Sequence, residues 1–212
     1  MSHSSSSRDR QMRLRLAQEA ARIIVESGSH DFLLAKRKAA HHLGAHDTRQ
    51  LPSNQEIEQA LIEYQRLFRS QTQPQLLRQL REIALQAMHF FVEYEPRLVG
   101  PVLSGTADVN STVTIHVFTD TAENISFILM EHRIPFDVTD KTLRIGIDEH
   151  HVFPVYRFIA NGTNIEVIVF PVSKRQPIPF SSVDGKPIQR ANMAAVEILL
   201  HESSDASILD GK

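Results

Sequence analysis

The spacing of apolar residues changes once along this chain, and that change bounds the architectures open to it. Up to Phe91 the apolar side chains recur three and four residues apart, as one face of a helix requires. After Pro96 they gather into short runs rich in Val, Ile and Thr, which suit a pleated sheet. Met12, Leu16, Ala20, Ile23 and Ile24 mark a first helix that stops at Ser27-Gly28-Ser29, where Ser29 can cap the next. A second helix is expected from Asp31 to Leu43, ended by Gly44. Ser53 and Glu56 form a capping box ahead of Ile57, Leu61, Tyr64, Leu67 and Phe68. Gln71-Thr72-Gln73-Pro74 is expected to break that helix, after which Leu77, Leu80, Ile83, Ala84, Ala87, Met88 and Phe91 make the fourth. Four helices therefore precede any strand.

Beyond Glu95-Pro96, strands are predicted at Leu98–Leu103, Thr112–Phe118, Thr142–Ile147, Val152–Ile159 and Ile165–Phe170. Asn161-Gly162 is a hairpin signal between the last two. A capping pattern at Asp120-Thr121-Ala122-Glu123 opens a helix toward Arg133, and a final helix is expected near Arg190–His201. The fold class read from this order is α+β. An N-terminal helical region over residues 1–72 precedes a mixed-sheet domain with flanking helices over 73–202, and a tail spans 203–212. The helical region is expected to hide the face led by Ile57, Leu61 and Phe68 against the later domain.

Composition removes several chemistries. With no cysteine, the chain has no disulfide framework, no thiolate metal site and no cysteine nucleophile. Neither a Walker loop, a dinucleotide-binding glycine pattern nor a Gly-x-Ser-x-Gly elbow is present. No apolar run is long enough to span a bilayer, and Met1–Arg8 lacks the apolar stretch of a signal peptide, so the expected location is the cytoplasm, away from membranes. Residues 1–97 hold 14 Lys+Arg against 11 Asp+Glu and residues 98–212 hold 9 against 14, an asymmetry of +3 and −5 that falls short of a dedicated nucleic-acid binder.

From Leu77 to Pro171 the order is helix, strand, Leu103-Ser104-Gly105-Thr106, strand, helix, then strands. This segment resembles the nucleotidyltransferase superfamily, the fold of minimal nucleotidyltransferases and of the polymerase β type. In that family a Gly-Ser position precedes a strand with two carboxylates two residues apart, and a later strand carries a third. Gly105-Thr106 matches the first, Ser111–Val117 the second and Ile165–Phe170 the third. The chain as a whole also resembles a bacterial nucleotidyltransferase-like family to which no reaction attaches.

The resemblance implies a phosphate-binding loop at Gly105, Thr106 and Ser111, and it places the carboxylate pair on Thr112 and Thr114, neither of which is acidic. Metal-assisted phosphoryl transfer needs carboxylate oxygens to hold divalent ions, and a threonine hydroxyl does not replace that charge. Strand alternation puts Thr112, Thr114, His116 and Phe118 on one face and Val113, Ile115 and Val117 on the other. Glu166 is then the surviving carboxylate, with a pairing to Arg157 across the hairpin as its structural alternative, and His116 is the one group there with chemistry near neutral pH.

The expected function is a nucleotide- or phosphate-binding protein of this fold that has lost catalysis, with no cofactor. An active metal-dependent nucleotidyltransferase, drawing magnesium to Asp108, Asp120 and Glu166, is a second reading, although Asp120 also suits a helix cap and Asp108 a turn. A third makes the helical half a protein- or RNA-binding module; Arg8, Arg10, Arg13, Arg15 and Lys36-Arg37-Lys38 could form a basic face there, but Glu19, Glu26 and Asp31 dilute it and solvated charge is the plainer reading. His41, His42 and His46 are read as surface histidines, because Gly44 interrupts the helix that metal ligands at that spacing need.

Overall fold

A computed structural model describes residues 3–27, 31–45, 51–68, 73–146, 149–175, 178–181, 183 and 185–209. The Gly28-Ser29 helix stop and His46 lie outside these residues, and so do the side chains of Arg8 and Phe68. Among them are seven α-helices and a five-stranded mixed sheet, an α+β fold with its helical region first. The chain divides into two compact units, one of residues 1–73, 108–110 and 182–185, the other of the remainder.

The first unit holds α1 (His3–Ser27), α2 (Phe32–His42) and α3 (Asn54–Phe68). Asp31 caps α2 by accepting from the Leu34 amide at 2.9 Å. The capping box of α3 forms as read: Ser53 Oγ accepts from the Glu56 amide at 3.1 Å, and Glu56 Oε2 accepts from the Ser53 amide at 2.6 Å. Leu16, Ala17, Ala20 and Ile24 of α1, Ala35 and Ala39 of α2, and Ile57 and Leu61 of α3 make one buried cluster. The expectation for Ile57 and Leu61 is thus corrected: alanines let α1 and α2 approach closely enough to bury that face within the unit itself.

The second unit is built on strands β1 (Arg97–Val99), β2 (Val113–Phe118), β3 (Asp137–Arg144), β4 (His150–Ala160) and β5 (Thr163–Phe170), in the order β1-β2-β5-β4-β3. β2 and β5 run parallel, and the other neighbours are antiparallel. Asn161 and Gly162, with φ of 50° and 75°, form the two-residue turn between β4 and β5. Val113, Ile115 and Val117 of β2 and Ile165, Val167 and Val169 of β5 point to one face. That face packs on Leu80, Ile83, Ala84 and Met88 of α4 (Gln73–Phe90), on Ile125 and Leu129 of α6 (Glu123–Glu131), and on Val196 of α7 (Met193–Leu209). Tyr156 fastens β4 to α6 by donating to the Ala122 carbonyl at 2.9 Å.

Four local readings change. The run Leu98–Leu103 is not one strand: β1 ends at Val99, Gly100 takes a φ of 74° that breaks the extended chain, and Pro101 opens the short helix α5 (Pro101–Ser104). β3 begins at Asp137 rather than Thr142, an exposed edge strand with little apolar pattern to read. Asp120 does not cap α6, whose first turn has no side-chain cap; its Oδ1 accepts from the Val172 amide at 2.9 Å. α7 starts after Arg190, because Ala191 exchanges backbone hydrogen bonds of 2.8 and 2.9 Å with Leu98 and Asn192 Oδ1 accepts from the Ala195 amide. It runs on to Leu209, where the sequence suggested a tail from Ser203.

Candidate functional site

The second face of the sheet carries the chemistry. β2 and β5 set Thr114 directly beside Glu166 and His116 beside Ile168, while β1 sets Arg97 beside His116. β4 sets Arg157 beside Glu166. Because directly paired residues share a face, the sheet itself gathers Arg97, Thr114, His116, Arg157 and Glu166 on one surface. Further along it the surface turns apolar, with Phe118, Phe153, Val155, Ile168 and Phe170 in a small buried cluster.

Glu166 has its side chain 8% exposed and is held by two cations, Lys141 Nζ on Oε2 and Arg157 Nη2 on Oε1, each at 2.9 Å. The pairing with Arg157 follows the hairpin register that the sequence suggested. Burial pushes the Glu166 carboxyl up, but Lys141 and Arg157 outweigh it and hold the group below the usual carboxylate range. Glu166 is therefore an ionised carboxylate with both oxygens engaged.

His116 is fully enclosed. Its Nδ1 accepts from Arg190 Nε at 3.0 Å, and its ring lies 4.6 Å from that of Phe170. An arginine Nε is always a donor, so the imidazole proton sits on Nε2. Burial, then the charges of Arg190 and Lys141, hold the imidazole well below its ordinary value, and it is neutral near pH 7. With its basic nitrogen occupied and its cation disfavoured, His116 is poorly placed to act as a general base.

Arg190 is brought here by the Leu98–Ala191 bridge, which pins the segment before α7 to the edge of β1. Its guanidinium lies over the rings of Phe118 and Phe170, at 5.2 and 4.9 Å. Nη1 donates to the Arg175 carbonyl at 3.0 Å, whereas Nη2 is buried without a hydrogen-bond partner among the described residues. Burial, with Arg97 adding to it, lowers this guanidinium to about 10. Sequence reasoning missed Arg190, Lys141 and Arg97, since each reaches the site through a strand pairing or a bridge that no local motif announces.

The loop residues are placed differently. Gly105 has a φ of 85° and closes α5: its amide donates to the Pro101 carbonyl at 2.9 Å, and the Thr106 amide donates to the same oxygen at 3.0 Å. Thr106 Oγ1 is 3.0 Å from Ser104 Oγ, and Ser111 is buried ahead of β2, next to half-buried Thr112. A phosphate cradle made of the Gly105 and Thr106 amides would have to give up both of these bonds.

Asp108 makes a turn, its Oδ1 accepting from the Asn110 amide at 2.9 Å. Among the described residues no group of three or more His, Asp or Glu side chains is gathered where it could hold a metal ion. The donor set that two magnesium ions require does not fit this face, where one carboxylate is neutralised by protein cations. In the first unit, His42 Nδ1 is 2.9 Å from Glu19 Oε1, while Arg10, Arg13, Arg15, Arg37 and Lys38 are exposed. No described helix is long and apolar enough to cross a membrane. No family model matches the chain, and no curated protein matches it.

Proposed function

We propose that this chain is a nucleotidyltransferase-like protein without catalysis, which binds a phosphate-bearing ligand such as a nucleotide at the sheet face of Thr114, His116 and Glu166 and needs no divalent metal to do so. One observation carries the reading. Thr114 stands directly beside Glu166, and both oxygens of that carboxylate are taken by Lys141 and Arg157. In a metal-dependent transferase this place must be anionic, because the ions bound there neutralise the charge developing on the attacking and leaving oxygens. Here fixed ammonium and guanidinium groups supply positive charge directly. They favour a bound anion and cannot deprotonate or polarise a nucleophile as a metal-bound oxygen does.

The test is calorimetric titration with magnesium alone, followed by thermal-shift assays with nucleoside triphosphates in magnesium or in a chelator. The expected result is no heat from magnesium and the same nucleotide-induced rise in Tm under both conditions. Tight magnesium binding that disappears in Glu166→Gln would restore the active-enzyme reading, and a rise seen only with magnesium would end the metal-free one.

A further inference from the structure

The face around His116 concentrates cations, and one of them, Arg190, has no anion to answer it among the described residues. Arg190, Arg97 and Lys141 come from three separate elements, the segment before α7, β1 and β3. Lys141 and Arg190 both act on the same imidazole, and Arg97 acts on Arg190. Of these, Lys141 answers to Glu166. Arg97 donates through Nη1 to the carbonyls of Glu95 and Pro96, and its Nη2 is 3.8 Å from Glu95 Oε2, a carboxylate that also receives Arg175 Nη2 on its other oxygen. Arg190 pairs with no carboxylate among the described residues, and its Nη2 makes no hydrogen bond.

A buried guanidinium is costly unless its donors and its charge are matched. The aromatic rings beneath Arg190 and the imidazole acceptor answer part of that cost, and neither brings negative charge. We propose that Arg190, supported by Arg97 and Lys141, is the anchor of an anion subsite for a terminal phosphate group, and that the Gly105-Thr106 loop is not. This rests on the reading of the Thr114–His116–Glu166 face as phosphate-binding, and it names the residues and the chemical class that reading leaves undecided. With Nε and Nη1 engaged, Nη2 is the donor left for a phosphate oxygen, and a lysine in its place would not reproduce this planar arrangement. His116 is then a positioning residue: by accepting from Nε it fixes the plane in which Nη2 is presented. Gly105 contributes a backbone angle, since a Cβ there would meet nothing closer than Leu77 at 3.7 Å.

The experiment titrates the full chain with inorganic tripolyphosphate and, separately, with a nucleoside triphosphate, both in chelator. Wild type is compared with Arg190→Gln, Arg190→Lys, Arg97→Gln and Gly105→Ala. The expected result is a loss of about tenfold or more for Arg190→Gln, a smaller loss for Arg97→Gln, incomplete rescue by Arg190→Lys, and unchanged affinity for Gly105→Ala. Equal affinity for the two ligands assigns recognition to phosphate alone, and tighter nucleotide binding adds a nucleoside contact; the subsite stands in both cases. Binding that survives both arginine substitutions overturns the subsite while leaving phosphate binding intact. A wild type that binds neither ligand overturns both. Should circular dichroism show that Arg190→Gln is unfolded, Arg97→Gln and Lys141→Gln decide, and unchanged affinity in those two counts against the proposal.

Discussion

The two faces of the sheet are made by the same strands and obey different rules. On one, Val113, Ile115, Val117, Ile165, Val167 and Val169 form a continuous apolar surface sealed by three helices. On the other, the residues in between include Thr114, His116 and Glu166, and only toward one end does the surface become aromatic. The first face stabilises the fold by removing apolar area from water, which tolerates no gap. The second is held by directional contacts among charged groups, whose net contribution is small because desolvation offsets attraction. A chain that folds on one face is free to vary the chemistry of the other.

That contrast can be tested by substitution. Ile115→Ala on the sealed face should destabilise the protein by about 2–5 kcal/mol, through lost burial and the cavity left behind, as read by denaturant unfolding. Glu166→Gln on the second face should cost less, about 1–2 kcal/mol, since the side chains of Lys141 and Arg157 are 41% and 52% exposed and rehydrate when released. A loss as large as that of Ile115→Ala would show that the charged contacts of the second face also carry the fold. Because the Glu166 carboxyl is held below its usual range, its contribution is present at neutral pH and fades as pH falls through the folded value.

His116 gives a pH signature of its own. Its folded value lies well below the ordinary one of about 6.5, so beneath that pH the unfolded chain binds a proton that the folded chain refuses. Stability should fall as pH drops below about 6.5, with a slope of up to about 1.4 kcal/mol per pH unit from this one group. His116→Gln should flatten the slope, and an unchanged profile would mean that the imidazole is not held neutral. Thr114→Ala should have the smallest effect, about 0.5 kcal/mol or less, for a half-buried hydroxyl on the second face.

The alternation of β2 was legible because burial imposes it: a residue of the wrong kind at Ile115 or Val117 would break the core. The capping box at Ser53 and Glu56, the Asn161-Gly162 turn and the Arg157–Glu166 pair were legible because each depends on neighbours in sequence or across one short hairpin. Leu98–Leu103 misled because apolar content fits a strand and a short buried helix equally well, and only the Gly100-Pro101 step separates them. Lys141 and Arg190 could not be found locally. One sits on an edge strand with an exposed, polar pattern, and the other is delivered by a backbone bridge to a strand more than ninety positions earlier.

The parallel pairing of β2 with β5 also bears on how the molecule assembles. β4 and β5 meet through a two-residue turn and can zip within microseconds, whereas β5 finds β2 only after α6 and the β3-β4 hairpin have been looped out between them. The rate of refolding should therefore be governed by this one long-range docking step. Thr114 and Glu166 become neighbours at that step, so a chain arrested before it has a formed hairpin in which that pair has not yet met.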